Sequence, residues 1–254
     1  MDEVWLAGVD GCPGGWIAAF VRPEGGAVRL RTVNTFAEVI EAPERPAVIA
    51  VDIPIGLPER GGRGGRAAEN AVRPLLGGRQ SSVFAMPSRK AVYAETAWPL
   101  TAAELAAAHR RASAVARATS DPPRGVAIQA FCVFAKVREL DALLHADPAL
   151  ARRVFETHPE VAFWRLNGAA ALAEPKKVKG RPYGPGLDLR RRLLAAGGLP
   201  DAAMAEPPPG AGADDLLDAL ACALTARRLR AGLAQPFPDP PEHDAFGLPM
   251  AIWA

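Results

Sequence analysis

VWLAGVDGCPGGWIAAFVRPEGGAVRLRTV, residues 4–33, reads as three strands joined by two tight turns. The run 4–10 is apolar and β-prone and ends on Asp10. Gly and Pro crowd the turn at 11–15, a second apolar run covers 16–22, a second turn 23–26 and a third run 27–33. Strands joined by such short turns pair antiparallel, so this opening predicts a meander. Thr35 is a candidate N-cap for a helix over 35–41. AVIAVDI, residues 47–53, is then a continuous apolar run carrying one acid, Asp52. That pattern suits a central strand covered on both faces. Three strands, a helix and a buried strand point to an α/β protein with a mixed sheet, a meander plus parallel strands, flanked by helices.

Further along, residues 54–124 are rich in Gly, Arg and Pro, with one clear helix at 101–119. They are expected to form a helical and loop insertion beside the sheet, within a single domain over 1–254. Residues 126–145 have helical apolar spacing, 152–157 read as a strand, and 159–167 as a short helix with Pro159 in its first turn. A helix over 187–196 is stopped by Gly197 and Gly198. The clearest helix is 214–231, opened by acids, closed by Arg227, Arg228 and Arg230, and followed by Gly232. A last strand fits 247–253. No internal repeat is visible.

At 254 residues the chain suits one large domain or a domain with an insertion. Its 24 Gly and 25 Pro lie below the ~25–30% of low-complexity chains, so they predict long loops around a formed core. A net charge of +2 discriminates little between partners. Cys12, Cys132 and Cys222 are odd in number, widely spaced and without a CxxC, which suggests neither a disulfide framework nor a zinc site. The start Met1-Asp2-Glu3 is acidic where a signal peptide is basic, and the apolar run 125–135 is shorter than the ~20 residues that span a bilayer. A cytoplasmic protein with no membrane partner is expected. No serine lies in GxSxG and no histidine in HExxH.

The acids carry the chemistry. Asp10 ends one apolar run and Asp52 sits in another. In open α/β sheets ligands bind at the carboxyl ends of strands, and on neighbouring strands these two carboxylates would lie side by side. Without a bridging cation one of them takes up a proton. An all-oxygen donor set favours Mg²⁺ or Mn²⁺. Asp215 and Asp218 are three apart and share a helix face. Glu156 closes a strand, with His158 and Glu160 on alternate positions after it. Plainer readings exist for each: Asp214 and Asp215 as helix starters, Asp52 as the partner of a buried arginine, Asp10 as a turn acceptor, His158 as a structural residue. Asp218 lies in an otherwise apolar face, where capping does not explain it.

The segments GVDGCPGGW (8–16), VDIPIGLP (51–58), SSVFAMP (81–87), FETHPEVAFWRLNG (155–168) and DDLLDALACALTAR (214–227) together resemble the uncharacterised domain family numbered 429, expected to be ribonuclease H-like nucleases. They span nearly the whole chain in order. DLLDALA (215–221) is similar to the late-helix motif of the RuvC group of Holliday-junction resolvases, whose second acid is commonly Glu where this chain has Asp52. The resemblance implies a ribonuclease H-like fold and a metal set of Asp10, Asp52, Asp215 and Asp218, with Glu156 as a further catalytic residue. It also implies two-metal phosphodiester hydrolysis, with ions ~3.5–4 Å apart. Asp10 would bridge the ions, and Asp215 and Asp218 would hold the second.

A nucleic-acid substrate needs cations on its phosphates. Residues 59–90 and 174–192 each hold seven basic and two acidic residues. Arg66, Arg73, Arg79, Lys177 and Lys179 are candidate phosphate contacts, with Lys176 in the same loop, and Ser81 and Ser82 candidate hydrogen-bond donors. A solvated basic face and a capped turn are the plain alternatives. Two other functions stay open: a phosphotransferase or ATPase of the same superfamily, with GVDGCPGG cradling phosphate, and a non-catalytic nucleic-acid-binding module. A homodimer is also left open.

Overall fold

Side chains along the first two strands alternate between two separate cores, and this sets the layers. In β1 (Leu6–Cys12) Ala7 and Val9 enter one core and Leu6 the other; in β2 (Gly15–Val21) Trp16, Ala18 and Phe20 divide in the same way from Ile17, Ala19 and Val21. Successive residues of a strand face opposite sides, so both faces of the sheet are covered. The structure is a computed structural model describing residues 3–97, 99 and 101–254. The acidic start read at Met1 and Asp2 lies outside the described residues.

β1, β2 and β3 (Val28–Val33) form the expected meander, Leu6 level with Val21 and Trp16 with Val33. The Thr35 N–H donates to Glu38 at the start of α1 (Phe36–Ile40). β4 (Val48–Val51) pairs parallel to β1. α2 (Ala67–Val72), a 3-10 stretch Arg73–Ser82 kinked at Gly77, α3 (Arg89–Val92) and α4 (Ala102–Ala118) follow. Next come α5 (Ile128–Cys132), α6 (Phe134–Ala146), α7 (Pro148–Ala151) and β5 (Val154–Glu156), which pairs parallel to β4. α8 (Pro159–Leu166), a hairpin of β6 (Lys177–Val178) and β7 (Arg181–Pro182), α9 (Gly184–Ala196) and α10 (Ala213–Arg230) lead to a separate antiparallel pair, β8 (Pro236–His243) and β9 (Pro249–Trp253). The main sheet has the order β3-β2-β1-β4-β5 and is mixed. The fold is therefore α/β, a five-stranded sheet with helices on both faces. One core takes in residues of α1 and α3–α7, the other residues of α8–α10.

Several elements differ from the sequence reading. β4 stops at Val51, short of 53, because the chain bends away towards Pro54, which has no N–H to continue a ladder. The helix over 126–145 is two, divided at Val133. Residues 54–124 hold more helix than expected, and Ala91, Val92, Ala108 and Ala112 enter the same core as Val9 and Val51. β8 was not foreseen, since four prolines argue against a strand. It pairs only with β9, with a register shift between Phe237 and Glu242. Among the described residues no helix is long and apolar enough to cross a membrane.

Candidate functional site

Parallel pairing brings the first two acids together. Val9 is level with Val51, and the Asp52 N–H donates to the Val9 carbonyl at 2.9 Å. Asp10 and Asp52 therefore leave the carboxyl ends of neighbouring strands on the same face, the one that carries α10. Gly8 sets the distance of that helix. A Cβ at Gly8 would stand 2.0 Å from the Ala223 nitrogen and 2.2 Å from the Ala219 oxygen, so α10 lies against bare backbone. One residue before Ala219, Asp218 is 2% exposed and faces the strand acids.

The electrostatics follow from this crowding. Burial, then the charges of Asp52 and Asp218, holds the Asp10 carboxyl well above the usual carboxylate range. Burial raises Asp52 as well, against the pull of His158 and Lys176. Asp218 is pushed up to about 6 by burial, opposed by the Lys176 ammonium. Asp10 accepts the Gly11 N–H at 2.7 Å, the turn contact read from sequence. Among the described residues no donor reaches the Asp52 carboxylate, and Asp218 Oδ1 is buried without a hydrogen-bond partner. Lys176 donates to the other Asp218 oxygen. Burial opposes its charge, yet Asp218 and Asp10 hold its ammonium above the usual lysine range.

A cleft of about 160 Å³ opens beside Asp10 and Asp52, between Ser82, Val83 and Met86 on one side and Val133 and Lys136 on the other. That is below the ~300–1,000 Å³ of sites enclosing drug-sized ligands. His158 and Thr157 also line it. His158 Nδ1 accepts the Glu160 N–H and caps α8, so Nε2 carries the proton and donates to the Ser82 carbonyl at 3.2 Å. The histidine is thus a structural cap that also ties down the cleft wall.

Most other expected site residues lie away from these acids, although Glu156 and Ser82 reach the cleft. Glu156 is level with Val51 and so projects to the face opposite Asp10 and Asp52. There it accepts the Ile55 N–H and two bonds from Arg66. Arg66 was read as a phosphate contact. It is instead fully buried between Glu69 and Glu156, with its remaining donor on the Ile55 and Gly56 carbonyls, and has no surface to offer a phosphate. Asp215 accepts the Gly212 N–H and caps α10, the helix-starter reading, while its charge still reaches Asp10. Lys177 pairs with Asp214 at 2.6 Å and Glu160 with Arg190 at 2.5 Å. Arg73 donates to Asn70 and to the Val83 carbonyl. Arg79 is half-buried, Lys179 sits on the exposed turn of the β6–β7 hairpin at φ 51°, and neither lines the cleft. Ser82 lines it; Ser81 is exposed beside it.

A second group was not read from sequence. Asp141 and His145, one turn apart on α6, and Asp244 after β8 bring ligand atoms within 4.8 Å of one another and could hold a metal ion. Arg89 already bridges both carboxylates, at 2.5 Å from Asp141 and 2.8 Å from Asp244. Asp244 also accepts the N–H groups of Leu57, Phe246 and Leu248. A metal there would have to displace the arginine. The only local hint was the i,i+4 spacing of Asp141 and His145, since Asp244 is about a hundred residues away.

A family model described as "Protein of unknown function (DUF429)" matches residues 8–243. No curated protein and no solved structure matches the chain.

Proposed function

We propose that this chain, which belongs to the DUF429 family of unknown function, is a ribonuclease H-like, metal-dependent nuclease or phosphodiesterase acting on nucleic-acid phosphodiester bonds in the cytoplasm. The observation that carries the reading is the placement of Asp10 and Asp52 side by side at the ends of parallel strands, faced by Asp218 from α10. Three carboxyls, Asp10 and Asp218 buried and Asp52 half-buried, whose charges oppose one another favour a bound cation over three separate protons.

Mg²⁺ or Mn²⁺ fits these residues. The donors are carboxylate oxygens, and Asp218 Oδ1 is a buried acceptor without a partner. Asp10, Asp52 and Asp218 would hold the metal, with Asp215 joining if it gave up its bond to Gly212. When bound, metal ions there would supply Lewis acidity for activating a water and stabilising the leaving oxygen. The chain's own residues orient the site. The Gly11 N–H fixes one oxygen of Asp10 and leaves the other to the cleft. The Arg66–Glu156 pair anchors Ile55 and so holds the segment after Asp52. Cys222, one turn beyond Asp218, is kept a neutral thiol by burial and by the charges of Asp52 and Asp10.

The test is Mn²⁺ calorimetry on wild type, Asp10→Asn and His145→Ala, with circular dichroism as folding control. Cleavage of labelled single-stranded, duplex and junction DNA and RNA is assayed in parallel. Binding and cleavage should survive in His145→Ala and be lost in folded Asp10→Asn. Cleavage unchanged in Asp10→Asn would overturn the reading. Binding lost only in His145→Ala would move the metal to Asp141 and Asp244. The Lys176 contact to Asp218 favours one second reading, a non-catalytic nucleic-acid-binding module in which the lysine is the resident cation. It predicts salt-sensitive, chelator-insensitive binding without cleavage.

A further inference from the structure

Four acids line the cleft, Asp10, Asp52, Glu69 and Glu156, and an anionic ligand entering it must meet a cation. None of the arginines and lysines named from the basic segments lines it. Among the described residues that do, Lys136 on α6 is the one lysine or arginine.

Its placement is constructed by three contacts. The ammonium donates to the Gly15 carbonyl and lies 4.4 Å from the centroid of the Trp16 ring, a cation–π contact. Trp16 Nε1 in turn donates to Glu139, three residues further along α6, at 3.1 Å. The lysine stem runs across Gly11, where a Cβ would stand 2.8 Å from its Cδ and 2.9 Å from its Cε. The missing side chain at Gly11 thus opens the path by which Lys136 reaches the residue next to Asp10. An ammonium has three donors, and among the described residues only Gly15 accepts one. Half-burial also pulls the amine below the usual lysine range, a cost that a bound anion offsets.

We infer that Lys136 is the anion-binding residue of this cleft and that the ligand it selects is a phosphate ester, with the phosphate beside Lys136 and the organic part against Val83, Met86 and Val133. The inference rests on the nuclease reading for the identity of the site. The small volume admits one phosphoryl group and its neighbours, so a polymer presents its phosphates singly.

The experiment is calorimetry at fixed Mg²⁺ with thymidine 5′-monophosphate as probe and thymidine as uncharged control, on wild type, Lys136→Met and Gly11→Ala. Thermal melts check the fold. Lys136→Met should weaken nucleotide binding roughly tenfold or more, the loss of one charged hydrogen bond. Gly11→Ala, which keeps the lysine but makes its flexible stem swing off its present course, should weaken it in the same direction. Equal binding by wild type and Lys136→Met, or no binding by wild type, overturns the inference. Lysine-dependent nucleotide binding with no cleavage of any oligonucleotide sinks the nuclease reading and leaves the anion site standing. Undiminished cleavage by Lys136→Met does the reverse.

Discussion

Lys176 donates a hydrogen bond to Asp218, the acid that α10 turns towards Asp10 and Asp52. The lysine precedes a short hairpin whose own Lys177 rests on Asp214. Under the proposed function, a protein-borne cation and a divalent ion would contend for the same carboxylates.

Removing the lysine charge should favour the metal. Lys176→Met is expected to bind Mn²⁺ roughly tenfold tighter or more, because a charge-assisted bond no longer has to be broken. In chelator the same variant should be less stable by about 3–5 kcal/mol, since Asp218 is left buried without its partner. Calorimetry and urea unfolding check the two halves. Unchanged affinity would mean that the lysine is not in the metal's way.

Acidity gives a second handle. The folded carboxyls of Asp10, Asp52 and Asp218 all lie above their ordinary values, raised first by burial. A group raised on folding stabilises fully below its unfolded value, and that share is lost as pH climbs through the folded one. For Asp218 the window runs from the ordinary carboxylate range up through about 6, and the loss is about 3 kcal/mol. In chelator, stability of wild type relative to Asp218→Asn should fall across this window, and Mn²⁺ should flatten the difference. Urea midpoints at stepped pH would show it; a relative rise would contradict it.

Arg66 should behave as a structural residue. Arg66→Met leaves Glu69 and Glu156 facing each other in a buried site and is expected to cost about 3–5 kcal/mol. The measurement is a urea midpoint. A well-folded Arg66→Met with normal stability but weakened oligonucleotide binding would restore the phosphate role read from sequence.

Gly8→Ala separates packing from chemistry. Its Cβ would collide with the main chain of Ala219 and Ala223, which cannot swing aside as the flexible Lys136 stem beside Gly11 can. A loss of roughly 1–3 kcal/mol or more is expected, together with weaker Mn²⁺ binding as Asp218 is pushed from the strand acids. Thermal melts and calorimetry report both; tight metal binding in a destabilised protein would mean that α10 does not set the acid spacing.

Asp10, Asp52 and Asp218 were legible in the sequence because each is a charge in an apolar run, a signal contained within a few neighbours. So were the meander and α10, whose periodicity and end residues are local. Glu156 looked equivalent to Asp52, but its face depends on the register of β5 against β4, which no single segment records. Arg66 and Lys136 are both basic residues in ordinary surroundings. One is buried and the other lines the cleft because of partners about ninety and a hundred and twenty positions away. β8 was hidden by its prolines, which are tolerable only because it belongs to a two-stranded ribbon.

The ladder bond from Asp52 to Val9 has a consequence for how such a chain can diversify. Because the two acids hang from adjacent rungs of one sheet, their separation is inherited from peptide geometry, not negotiated by the loops around them. The exposed loops after Pro54 can lengthen or shorten, so long as buried Arg66 and the core residues Ala91 and Val92 keep their places, and the acid pair keeps its gauge. New surroundings can thus be fitted around the pair without respacing it.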